Sequence, residues 1–446
     1  MPRKRLLTAG SFLLTAAFVV GPTASTPASA ADTRSVLIVG NAVAGTVSFI
    51  DADTLANLGS FSVIPDLQQV FDSWSLAQWA DYAVANADEA GVDPTVGGTR
   101  YVDDFAVSPD GTTIYVSRGN LDDVAAFSLV THQELWVEPV DGIHSDHLAL
   151  SPDGTEVVVS ATTADDAEVY SAATGSLIGK FGTGSYPHQN TFTPDGKYIY
   201  NESIGITALP YALNSLKGAL QLEKVDASTL QVVKVWTFPY GLRPFVIAPD
   251  GTTMYADMSY LNGFIKYDLN TSQTLATVQQ PYSATAATES CDSYPQNSAH
   301  HGIALSGDDT KLCDVGTIDD YTKIVDTSTL TTTATVTYPT GSIPYWALTS
   351  ADGAYSAGVR AASPCAPPER KTTGSTGRTH GEIPVITPPR KPINTSVSTP
   401  LLRVSSGMRR TREHGPGCRR SAFPYPWDTR RGHAAFTVSV VSTTCR

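Results

Sequence analysis

Cysteine is scarce in this chain, with five in 446 residues, and three of them (Cys365, Cys418 and Cys445) stand near the C-terminus. No CxxC pair occurs, which excludes a cysteine-built zinc module or a dithiol redox motif. HExxH, the phosphate-binding P-loop, the dinucleotide glycine fingerprint and the GxSxG elbow are also missing. Enzymes that carry their chemistry in one local motif are thereby excluded, whereas a site assembled from distant segments is not. Beyond residue 20 no run is long and apolar enough to span a bilayer. Basic residues are few through most of the chain. Between residues 31 and 358 there are 12 Lys and Arg against 39 Asp and Glu, a net charge near −27. So acidic a body disfavours nucleic acid as a partner and suits cations or plain solubility.

What is present is one phrase, six times over: FAVSPDGTTIYV from Phe105, LALSPDGTEVVV from Leu148, TFTPDGKYIY from Thr191, VIAPDGTTMYA from Val246, IALSGDDTKLCDV from Ile303 and ALTSADGAYSAG from Ala347. Its Asp falls at 110, 153, 195, 250, 308 and 352, giving spacings of 43, 42, 55, 58 and 44. Within four of the phrases an apolar run meets a Pro-Asp-Gly turn and then a second β-run, and the last two keep the Asp with Gly-Asp-Asp and Ala-Asp-Gly. Pro presets φ, Asp bonds its own backbone and Gly tolerates the turn, so the phrase predicts a hairpin. A third run follows, such as AEVYSAATG from Ala167 or TKIVDTSTL from Thr322, and a fourth closes each unit, such as SLIGKF from Ser176. Four antiparallel strands per repeat of this period predict an all-β, seven-bladed β-propeller. The first blade, from Ser35, lacks its innermost strand, which the C-terminus is expected to supply. The seventh begins at Trp346 and breaks off.

SPDGTTIYVS followed by the strand VAAFSLVT resembles the YVTN-repeat family of secreted β-propellers, whose relatives include YncE-like proteins, surface-layer propellers and lactonase-type seven-bladed propellers. The resemblance covers roughly residues 35–358. It implies a propeller and leaves activity open, because such scaffolds host binding modules, structural proteins and enzymes alike.

Both ends depart from the repeat. Arg3-Lys4-Arg5, the apolar Leu6–Val20 and the small-residue Ala28-Ser29-Ala30 read as a signal peptide over residues 1–30, which predicts a secreted or extracytoplasmic protein. The propeller is expected over 31–358. Residues 359–446 turn basic, with 15 Lys and Arg against 4 Asp and Glu, are rich in Pro and Arg, and lose all periodicity. A disordered basic tail accounts for this, and so does a slipped reading frame. Phe436–Thr443 could still pair as a strand. Export permits a disulfide between Cys291 and Cys313, which the repeat puts in adjacent parts of one blade.

Long insertions at 65–100, 203–220 and 280–299 fall on connections that share one face of a propeller. The first has helical spacing, with Leu67, Val70, Phe71, Trp74, Leu76 and Trp79 broadly on one side. The position seven residues before each turn Asp holds Asp103, Asp146, His188, Arg243, His301 and Tyr345. These open the innermost strands and are expected to ring the channel mouth on the decorated face. His188, His301 and Asp146 are the candidate ligands for a divalent metal, and Arg243 suggests an anion such as a carboxylate. Two functions follow as expectations. One is an exported binding or scaffold propeller that recognises a small molecule or a cell-envelope partner. The other is a metal-assisted enzyme of lactonase or lyase type.

Overall fold

Ser108 Oγ donates to Asp110 Oδ1 at 2.6 Å, and the same oxygen accepts the Thr112 backbone N–H at 3.1 Å. Gly111, at φ 69°, donates its N–H to the Ser108 carbonyl at 2.8 Å. The turn is thus built from its own Asp, and the Ser108 hydroxyl holds the Asp110 carboxyl below its usual range. Ser151 with Asp153 and Ser306 with Asp308 repeat the arrangement. Each turn joins the innermost strand of a sheet to the second.

In this computed structural model the described residues are 34–52, 54–92, 99–349, 356–360, 385–386 and 436–443. Residues 1–30, expected to be a signal peptide, and most of residues 359–446 lie outside them. Five repeats form four-stranded antiparallel sheets in simple chain order, as in Asp104–Val107, Thr113–Arg118, Asp123–Ser128 and Glu134–Pro139. Phe436–Thr443 completes another sheet, pairing antiparallel with Arg34–Asn41 from Asn41 opposite Phe436 to Arg34 opposite Thr443. The first blade therefore takes its inner strand from the far end of the chain.

Among the described residues six four-stranded blades form, not the seven expected. The last repeat, opening at Pro344–Thr349, makes only a three-stranded sheet with Ser356–Arg360 and Val385–Ile386. Its third strand is two residues long, because the sequence past Gly358 no longer alternates and offers no third and fourth run.

Second strands are buried at nearly every position, as in Thr113–Arg118, whereas outermost strands such as Thr332–Thr337 stay exposed. Sheets packed face to face explain this: an inner strand is covered from both sides. Ile38, Val47, Phe105, Ile114 and Phe127 form one such core between the first two blades.

The first insertion is helical as expected, but the run breaks at Trp74 and Ser75, and Leu76 turns to solvent. Residues 65–100 contain helices Leu67–Ser73 and Leu76–Val92, with Phe71, Trp74, Trp79 and Tyr82 packed ring on ring. Arg118, fully buried, ties this insertion to the second blade through Asp66 and Asp123. Among the described residues no helix is long and apolar enough to cross a membrane.

The expected Cys291–Cys313 bridge is not formed; both are free thiols. Cys313 points between sheets against Ala304, Val315 and Ala347, whereas Cys291 packs in the 280–299 loop against Ala286, Tyr294 and Ile318. The repeat places them in one blade but turns them into different cores.

Candidate functional site: the channel-mouth cavity

At Ser145–Leu150 the pairing register with the second strand slips between Ser145 and Leu148. Equivalent slips lie between Pro187 and Asn190, Leu242 and Phe245, His300 and Ile303, and Pro344 and Trp346. Each is a β-bulge at the opening of an inner strand. A bulge breaks strict alternation, so two consecutive side chains can face the same side. Asp146 and His147 both line the channel mouth for this reason.

Five of the six repeat-equivalent residues, Asp103, Asp146, His188, His301 and Tyr345, line one cavity of about 270 Å³. Arg243 is not among its lining residues; it lies behind Gln296, whose carbonyl accepts from Arg243 Nη2. All three insertions contribute to the wall, through Val84 and Ala85, through Thr207 and Ala208, and through Gln296. Asp122-Asp123, Asp165-Asp166 and Asp319-Asp320, acidic pairs on the turns from second to third strands, are not among its lining residues. Asp122 and Asp165 instead accept the backbone N–H groups of His144 at 2.7 Å and Tyr186 at 3.0 Å, bracing the next blade's entry.

Within the cavity the His147 and His188 rings stand 4.2 Å apart, and His188 and His301 5.4 Å apart. His188 Nδ1 is held by Glu202 Oε1 at 2.8 Å, and His147 Nδ1 faces Asp104 Oδ2 at 3.4 Å. His147 Nε2 is 3.6 Å from Asp146 Oδ1. That separation is long for a hydrogen bond, but two ligands each about 2.0–2.2 Å from a tetrahedral ion sit roughly this far apart. Asp146, His147 and His188 together present three ligand atoms within 4.8 Å of one another, as do Asp103, His144 and Asp146. Of the candidate ligands, Asp146 and His188 fall in the first group, while His301 belongs to neither. His147 and His144 are additions.

Burial governs the charges. It holds His188 well below the usual imidazole range, with His147, His301 and Arg243 adding to the effect. Burial and then Arg243 do the same to His301. At His147 burial opposes charge, yet Asp104, Asp146 and Asp103 outweigh it and lift the imidazole to about 9. Burial and the neighbouring Asp103 push Asp146 up to about 7. His301 Nδ1 faces the Tyr345 carbonyl at 3.2 Å and so carries the proton. The neutral His188 beside Asp146 suits a divalent transition ion, and His147 would give up its proton to join as a ligand. The carboxylates behind His147 and His188 are the outer partners that such ligands use to fix their tautomer.

No protein-family model and no curated protein matches the chain. A solved structure of Kuenenia stuttgartiensis hydrazine synthase is similar in shape, with a TM-score of 0.52 over 77% of this chain and 96% of that one, at 16% identity. The chain is a β-propeller. At that identity the likeness speaks to fold alone, and the chemistry rests on the cavity.

Proposed function

We propose that this protein is an exported, YVTN-type binding propeller that recognises a small molecule at the channel mouth, with a divalent ion held by Asp146, His147 and His188. One observation carries the reading: residues from equivalent positions of five repeats converge on one partly open cavity. Ligand sites favour such concave, largely pre-formed places, and about 270 Å³ falls just below their usual range, room for a small ligand only. The charged start, apolar run and Ala28-Ser29-Ala30 of residues 1–30 support export.

Metal-assisted hydrolysis of lactonase or lyase type is the second reading, favoured by the neutral His188 and His301 near the ion-binding group. A bound ion would supply Lewis acidity and a more acidic water. The chain's own part would be to orient His188 through Glu202 and to offer His301 Nε2, which has no partner, as a proton acceptor. Thermal melts with and without Zn²⁺, together with a screen of lactone and ester hydrolysis, separate the two. Stabilisation by Zn²⁺ without turnover supports the binding protein; turnover abolished by His301→Ala supports the enzyme. A melt unmoved by Zn²⁺ and by Co²⁺ contradicts the ion-binding part of the account.

A further inference from the structure

Among the described residues two guanidinium groups are fully buried, Arg118 and Arg243. Arg118 shows how the fold satisfies such a group. Its Nε and Nη2 bind the two oxygens of Asp123 at 2.6 and 2.7 Å, and its Nη1 and Nη2 bind those of Asp66 at 2.6 and 3.0 Å. Two carboxylates engage both edges of the fork.

Arg243 has none. Its Nη2 donates to the Gln296 carbonyl, while Nε and Nη1 have no partner. Among the described residues no carboxylate lies within ion-pairing distance of it, although its charge acts on Glu202 and Tyr345. A buried cation left this way is costly, since each unmet donor forfeits its hydration. The Gln296 carbonyl occupies one of the two Nη2 hydrogens. Whichever it takes, one edge remains whole, either Nε with Nη2 or Nη1 with Nη2. Such an edge matches the two oxygens of a carboxylate. Gln296 and Tyr345, joined by a 3.1 Å bond from the Tyr345 hydroxyl to Gln296 Oε1, both line the cavity, and the carbonyl that binds Arg243 belongs to the same Gln296. The Gln296 backbone stands at φ 45° and that of Asn297 at φ 67°, a conformation that side chains adopt at a cost.

We propose that the cavity's ligand is a small carboxylate, whose carboxylate group seats on the open edge of Arg243 once Gln296 turns aside. The ligand thus brings the acceptor that Asp123 and Asp66 provide for Arg118. This assignment rests on the channel mouth being the binding site, but not on the metal.

The test uses the full chain, stripped of metal and then reloaded with Zn²⁺, titrated calorimetrically with propionate, with its neutral isostere propionamide and with methylphosphonate. Propionate is expected to bind at least about tenfold more tightly than propionamide, and Arg243→Lys to weaken it by about the same factor while preserving charge. The propionate–propionamide contrast needs no variant, so it stands even where Arg243→Lys fails to fold. Equal affinities, or no binding of either at millimolar concentration, overturn the proposal; so does tighter binding of methylphosphonate, which makes the group a phosphoryl site. Propionate binding in metal-free protein that takes up no Zn²⁺ keeps this proposal and overturns the metal reading instead.

Discussion

His188 Nδ1 lies 2.8 Å from Glu202 Oε1, with both side chains buried on adjacent strands of one blade. Burial pushes the Glu202 carboxyl well above its usual range and the His188 imidazole well below its own. The neutral pair thus carries two protons, one on Glu202 and one on the imidazole ring. A divalent ion on His188 Nε2 would release the ring proton to solvent and leave Nδ1 to take the Glu202 proton, so that Glu202, as a carboxylate, would tune the ligand without touching the ion.

Glu202→Gln keeps the shape and removes the charge. It is expected to lower divalent-metal affinity roughly 10–100-fold with the fold intact, as read by competition with a chromogenic chelator and by circular dichroism. Unchanged affinity would show that Glu202 only fills space.

How far the sequence foretold this site depends on the bulges. The SPDG turns are local, and each writes its own hairpin, so the propeller and the channel-mouth positions Asp103, Asp146, His188, His301 and Tyr345 could be read from spacing. His147 could not, because alternation turns it away from Asp146; only the register slip between Ser145 and Leu148 brings both to one side. Glu202 looked like an ordinary residue of a second strand. The bridge between Cys291 and Cys313 failed because a repeat fixes a residue's blade but not the core it faces. The blade count failed where the periodic signal ends.

Asp309 occupies the turn position that Gly111 and Gly154 fill in other repeats, at φ 58°. Its side chain bears that left-handed backbone at a cost glycine avoids. Asp309→Gly is expected to stabilise the protein by about 0.5–1 kcal/mol, seen as a higher denaturation midpoint. A lower midpoint would mean that flexibility gained by the unfolded chain outweighs the strain removed.

Burial raises Glu223 to about 7, Gln221 alone opposing the shift, and its Oε2 has no partner. A carboxyl with a raised folded pKa binds its proton more tightly when folded. Its contribution is therefore full below the unfolded value of about 4.5 and is lost as pH rises through about 7. Glu223→Gln should raise stability at pH 8 by roughly 1–3 kcal/mol and change little at pH 4. Equal effects at both pH values would rule out titration as the cause.

Phe436–Thr443 supplies the inner strand of the first blade. Ending the chain at residue 435 leaves Arg34–Asn41 with an open edge. The shortened protein should melt at lower temperature and elute partly as aggregate in size-exclusion chromatography. A monomer of unchanged stability would show that the ring does not depend on this closure.

Metal content tests the central claim most directly. The full chain, dialysed against Zn²⁺ and then against metal-free buffer, is analysed by inductively coupled plasma mass spectrometry beside His147→Ala and His188→Ala. The account predicts about one ion per chain in the parent, lost in both variants while circular dichroism stays that of a folded β-protein. A folded parent without bound metal, or metal retained in both variants, would contradict it.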